Sequence, residues 1–161
     1  MPQNGLIVEP GQSRTAGSLN VLGDIVNVKL SGSETAGAYA VMEDTTPPHA
    51  GPPLHRHNRE DESFYVIEGR YRFVVDGEEI KAAPGAFIHA PRGTVHTFQN
   101  IRNGPGRMIV IVQPAGLEVF FADLASATAG MTAPDMPTIG SVFAKHGLEL
   151  LGPPLSAPTL D

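Results

Sequence analysis

Apolar and polar side chains alternate over most of the first two thirds of this 161-residue chain, the period expected of strands with one buried face. In Ile25–Leu30 the residues Val26, Val28 and Leu30 fall on one side. Ser31-Gly32-Ser33 then turns the chain into a second strand, Ala38–Met42. Four prolines between Thr45 and Pro53 remove ladder donors and exclude a helix or a central strand there. A stiff loop therefore delivers the chain into Leu54-His55-Arg56-His57. After the charged turn Asn58–Asp61, Glu62–Glu68 leads through Gly69 into Arg70–Val75, which predicts a hairpin, and Asp76-Gly77 signals another tight turn. Tyr71, Phe73 and Val75 share one face of the second of these strands, while Arg70, Arg72 and Val74 share the other. Shorter strands follow over Ala86–Ala90 and Thr94–Gln99, separated by Pro91-Arg92-Gly93. Met108–Val112 is almost wholly apolar, the pattern of a strand covered on both faces.

The period changes after Pro114. Leu117, Phe120, Phe121, Leu124 and Ala125 recur at helical spacing, and a second short helix is expected from near Pro137, with Ile139, Val142, Phe143 and His146 along one side and Gly147 at its end. These helices are expected to cap the outside of the sheets, with an extended or frayed tail from Gly152 onward. Residues 1–18, polar and broken by glycine and proline, read as a loose arm. The chain thus divides into an arm (1–18), a β domain (19–115) and a helical segment with its tail packed on that domain (116–161). Glycine (18) and proline (15) recur throughout, which favours many short strands joined by tight turns, an all-β sandwich or barrel.

Composition narrows the chemistry. One domain of this length buries about 70% of the surface its unfolded form exposes, enough for a core without staples. With no cysteine, disulfides, thiolate catalysis, iron–sulfur clusters and cysteine-ligated zinc are excluded. No apolar run approaches the roughly 20 residues of a membrane helix. A formal charge of -6 argues against nucleic acid. Met1–Gly5 lacks the basic start and apolar run of a secretory signal, so a cytoplasmic setting is expected.

Two stretches carry candidate chemistry. His55 and His57, spaced i and i+2 in an extended segment, point to the same side, with Arg56 facing away. His96 lies in a later strand, and Glu60, Asp61 and Glu62 compete to supply a carboxylate. As ordinary buried histidines these would each need a separate partner, whereas one metal ion satisfies them all.

The same residues resemble the two motifs of the cupin superfamily. His55, His57, Glu62 and Gly69 match the first, and Gly85, Pro91, Gly93, His96 and Asn100 the second. The glycine usual before the first histidine falls at His49, with Gly51 displaced. The likeness spans about Gly51 to Asn100, a third of the chain. It implies a jelly-roll β-barrel with one divalent transition ion (Fe, Mn, Ni, Co or Zn) on His55, His57, Glu62 and His96. Glu60 and Asp61 are then left as solvated turn charges. Absence of sulfur ligands argues against Cu(I), and scarcity of oxygen ligands against calcium. Phe64, Tyr71, Phe73 and Phe98 are expected to wall a substrate pocket, with Arg70, Arg72 and Arg92 facing outward. His49 and His89 are candidates for proton carriers at the pocket mouth or for plain surface histidines, and His146 for a helix-dipole partner.

Single-domain cupins of this kind resemble quercetin-dioxygenase-like proteins. That likeness implies a metal-dependent dioxygenase acting on a small aromatic or enol substrate, with Glu62 as both ligand and catalytic base. The alternatives are a metal-dependent isomerase or lyase of a small sugar or keto acid, and a non-catalytic small-molecule-binding cupin. A homodimer is expected, with the Met108–Val112 strand and the arm as interface material.

Overall fold

In the computed structural model, which describes residues 4–15 and 17–156, the alternating segments sort into two antiparallel sheets. One has six strands, in the order β1 (Leu19–Val21), β2 (Asp24–Leu30), β3 (Ala40–Thr46), β10 (Gly106–Gln113), β5 (Asp61–Glu68), β8 (Phe87–Ala90). The other has five, in the order β11 (Leu148–Pro154), β4 (Pro53–His57), β9 (Val95–Asn100), β6 (Tyr71–Val75), β7 (Glu78–Ala82). This is the expected jelly-roll. The inward faces meet through aromatic rings: Phe64 of β5 lies 5.1 Å from Phe73 of β6 and 5.7 Å from Phe98 of β9, centroid to centroid. Tyr71 and Phe73 are wholly buried in this seam. Burying such rings is the largest single source of core stabilisation, about 1.5–3 kcal/mol each.

Several expectations change once the strands are paired. Glu62–Glu68 and Arg70–Val75 are not a hairpin: β5 pairs with β10 and β8, and β6 pairs with β7 and β9 in the opposite sheet. Gly69, at φ 100°, carries the chain across between the sheets, and a side chain there would meet the Gly106 backbone. The true hairpin is β6–β7, whose Asp76 and Gly77 both take positive φ, as Asp-Gly turns do. β3 runs on to Thr46 because β10 supplies partners along its whole length. The outer side of β10 is uncovered in the single chain, with Ile111 36% exposed, although Met108, Val110 and Val112 are buried. The arm is less loose than expected. Arg14 N–H donates to the Val28 carbonyl (2.7 Å), and Lys29 Nζ donates to the Glu9 and Gln12 carbonyls.

The C-terminal segment departs most. Its tail is a strand, β11, set against β4 with Leu148 opposite His57 and Leu150 opposite His55. It thereby covers the free edge of the strand that carries both histidines. The helices α1 (Leu117–Thr128) and α2 (Met136–Lys145) do not cap the outside. Leu117, Phe120, Leu124 and Phe143 turn into the space between the sheets, where Phe120 and Phe143 meet edge to face at 4.9 Å. Glu118 holds the start of α1 in place, accepting hydrogen bonds from Gly32 N–H and Gly116 N–H at 2.8 Å each.

The proline-rich loop into β4 is pinned by Asn100, whose Nδ2 donates to the Thr46 and Pro47 carbonyls. His49 sits at φ 59°, a left-handed conformation that glycine adopts more readily than other residues. Gly51 is needed for a different reason: a Cβ at that position would lie 1.9 Å from the Phe98 carbonyl oxygen. Gly51→Ala is therefore expected to cost about 1–3 kcal/mol through forced backbone displacement. Urea denaturation would measure this, and an unchanged midpoint would count against such tight docking of the loop on β9.

Candidate metal centre

The β4–β9 register sets His55 directly opposite His96, and period two places His57 on the same inward face. Glu62 arrives from the other sheet, near the start of β5 and opposite Ala90 and Val112. All four side chains are buried, and one donor atom from each lies within 4.8 Å of every other. His55 Nε2 is 3.1 Å from His57 Nε2, and Glu62 Oε2 is 2.9 Å from His96 Nε2 and 3.2 Å from His57 Nε2. The four metal candidates of the sequence thus meet at one point.

Backbone carbonyls orient two of the rings. His55 Nδ1–H donates to the Pro53 carbonyl (2.7 Å) and His96 Nδ1–H to the Thr94 carbonyl (3.1 Å), so in the neutral rings each Nε2 presents its lone pair inward. Two imidazole acceptors and a carboxylate oxygen then face one another and the His57 ring. One proton satisfies one of these contacts, whereas a cation satisfies all four. The donor set fits a divalent transition ion.

Glu60 was expected in solvent, yet only 5% of it is exposed. Its Oε2 lies 3.5 Å from His57 Nδ1, and neither atom has a hydrogen-bond partner. The start of α1 closes over this carboxylate, since a Cβ on Gly116 would stand 3.4 Å from Glu60 Oε1. Glu60 is placed to receive His57 Nδ1–H behind a metal-bound ring, the arrangement that orients many ligating histidines. Asp61 does remain at the surface, paired with Arg92.

His55, His57 and Glu62 of the cluster line a cavity between the sheets. Of the four expected wall residues, Phe64 and Phe98 line it; Tyr71 and Phe73 do not, because the seam behind Phe64 and Phe98 swallows them. Their places are taken by Phe120, Phe121 and Phe143 from the helices. Phe143 lies 6.1 Å from the His55 ring. Asp24 and Asp44 also line the cavity. Sequence reasoning missed both, because the strands extend beyond the expected ones to include them; parity then sets Asp24 on the face of Val26 and Asp44 on that of Met42. His49 and His89 stay outside, bonded to Asn103 (2.9 Å) and Ser63 (2.8 Å). His146, at the end of α2, bonds Asp123 at 2.7 Å.

Comparison with known proteins agrees with this geometry. The cupin domain model matches residues 42–112, which contain every motif residue named above. Quercetin 2,3-dioxygenase of Bacillus subtilis is 31% identical over 103 residues, 64% of this chain and 30% of that protein. The chain therefore spans less than a third of that dioxygenase. An uncharacterized protein of Streptomyces coelicolor is 30% identical over 83 residues, covering 50% of this chain and 70% of its own. A predicted oxalate decarboxylase of Thermotoga maritima shares the fold, with a TM-score of 0.60 at 19% identity over 68% of this chain and 99% of that one. The protein belongs to the cupin superfamily.

The electrostatics of the cluster make metal uptake depend on pH. Burial and the neighbouring imidazoles lower the His55 pKa to about 3. Burial also works against a charge on His57, but the Glu62 and Glu60 carboxylates outweigh it and raise the pKa to about 9. Burial alone would favour protonated Glu62, yet His57 and His96 hold its carboxyl below the usual range. Without metal, His57 therefore keeps a proton at neutral pH that an incoming ion must displace. Metal binding at pH 7 should release about one proton, and affinity should rise by up to roughly tenfold per pH unit until His57 titrates near pH 9. Calorimetry in buffers of different ionisation heat tests this; a binding heat independent of buffer would show a neutral His57.

Proposed function

We propose that this cupin is a metal-dependent oxidoreductase of the dioxygenase type, acting on a small aromatic or enol substrate. One observation carries the reading: of four converging metal-type donors, His55, His57 and Glu62 open onto a cavity with largely apolar, aromatic walls and, among the described residues, no lysine or arginine. The likeness to quercetin 2,3-dioxygenase points the same way. A divalent transition ion (Fe, Mn, Ni, Co or Zn) on His55, His57, Glu62 and His96 supplies Lewis acidity for a hydroxylate and, for the redox-active metals, electron transfer to dioxygen. The chain's own part is to hold a flat ring between Phe64, Phe98 and the helix aromatics, where water is excluded. Glu62, the only carboxylate among the four donors, is the base that takes the substrate hydroxyl proton.

An isomerase or lyase of sugar or keto acids is disfavoured, because it needs a cation to hold a carboxylate or phosphate. Arg70 is exposed, Arg72 bonds Gln99 and the Ser156 carbonyl, and Arg92 pairs with Asp61. After loading with Fe, Mn, Ni or Co, oxygen uptake is expected with flavonols or β-diketones. Glu62→Gln should lower the rate by about 10²-fold or more, with metal content measured in parallel. Absence of uptake with every metal would remove the dioxygenase reading and leave a binding cupin.

We also propose that the chain forms a homodimer through the outer face of the six-stranded sheet. The support is continuity: β10 has the composition of a strand covered on both sides, but its outward Ile111 is exposed and Ile109 only half-buried. Tyr65 stands opposite Ile109 and Phe87, and both Tyr65 and Phe87 are exposed. Such an apolar row is self-complementary about a two-fold axis. Sedimentation should give twice the 17.0 kDa chain mass, and Tyr65→Lys with Phe87→Lys should return the monomer; a monomeric native protein would refute the pairing.

A further inference from the structure

Apart from His55, His57 and Glu62 of the metal-type cluster, only two polar side chains among the described residues line the cavity: Asp24 and Asp44. Val26 of β2 stands opposite Asp44 of β3, and Asp24 lies two places before Val26, so the two carboxyls share the inward face of adjacent strands. Burial and the adjacent Asp44 carboxyl disfavour a charge on Asp24, and burial and the charge of Glu62 disfavour one on Asp44. Behind the pair, Thr46 Oγ1 reaches Asp44 Oδ1 at 3.5 Å, and Tyr71 donates to Thr46 Oγ1 at 3.3 Å. Asp44 is thus braced by buried neighbours while it remains part of the cavity wall.

The chemistry of this wall is one-sided. With Glu62 it presents three carboxyl groups and no lysine or arginine. A ligand hydroxyl finds acceptor oxygens there, whereas a ligand carboxylate or phosphate meets like charge and no compensating donor in a poorly solvated space. We propose that Asp24 and Asp44 form a second recognition point of the cavity, accepting a hydrogen bond from a hydroxyl at the end of an uncharged aromatic ligand remote from the metal donors and excluding ligands that carry an anion there. This rests on the reading that the metal cavity takes a small aromatic ligand, but not on dioxygen chemistry.

The test measures binding to the zinc-loaded full chain, in which no oxidation occurs. Three catechols of matched shape serve as probes: 4-methylcatechol, 3,4-dihydroxybenzyl alcohol and 3,4-dihydroxybenzoate. By calorimetry the alcohol is expected to bind at least threefold more tightly than 4-methylcatechol, and the benzoate at least tenfold more weakly. In the Asp24→Asn/Asp44→Asn double variant, with zinc content and thermal midpoint checked against the parent, the benzoate penalty is expected to fall below threefold. Equal binding of benzoate and 4-methylcatechol to the native protein would overturn the proposal without touching the metal centre. An undiminished benzoate penalty in the variant would overturn it too. Since the ligand series on the native protein needs no mutation, a variant that fails to fold does not shelter the idea. No binding of any probe would sink this inference together with the small-ligand reading. Lack of oxygen uptake alone would remove the dioxygenase reading and leave the acid-pair proposal standing.

Discussion

Four buried acceptor atoms pointed at one another form the constraint on which the rest of this structure depends. Three imidazole nitrogens and one carboxylate oxygen in mutual contact repel unless a cation, or a compromise proton, lies among them. The barrel is built to keep them there. Carbonyls of Pro53 and Thr94 hold two ring orientations, β11 covers the outer edge of β4, and the aromatic seam behind Phe64 fixes the spacing between the sheets. Glu62 ties the six-stranded sheet to the histidines of the five-stranded one, so the centre and the barrel's closure are one feature.

The helices decide what kind of chamber surrounds that centre. A jelly-roll alone leaves its mouth open to water, in which a metal site meets any hydrophilic ligand. Here Phe120, Phe121, Leu124 and Phe143 come into the wall, and α1 also shuts Glu60 behind His57. The result is an apolar space whose polar groups are gathered at two places, the metal-type donors and the Asp24–Asp44 pair.

Local grammar explains what was readable along the chain. The His55-x-His57 spacing identifies a strand because parity is a property of the backbone alone, and Asp76-Gly77 identifies a turn because its positive φ values depend on two residues. Pro91 and Gly93 likewise position His96 through a local turn. Other features were misread for a shared reason. Glu62–Glu68 and Arg70–Val75 look like a hairpin because Gly69 and a short separation are all that sequence offers, while the pairing with β10 comes from about 40 residues away. Glu60 looked solvated since it sits in a charged turn, and nothing nearby in the chain announces that α1 will close over it.

Parity made Tyr71 and Phe73 inward residues, and inward they are; it could not say that Phe64 and Phe98 would stand between them and the cavity. Amphipathic spacing likewise showed which face of α1 is buried, but not against what. By itself, the sequence determined most of the strands, the Asp76-Gly77 turn and which four metal-type side chains could meet, because these follow from backbone periodicity, turn geometry and side-chain chemistry within a few positions. Only the tertiary structure decided which strands pair, which aromatics wall the cavity and that Asp24 and Asp44 share it, because those depend on contacts between segments far apart in the chain, where the free energy of burial is settled by the whole fold.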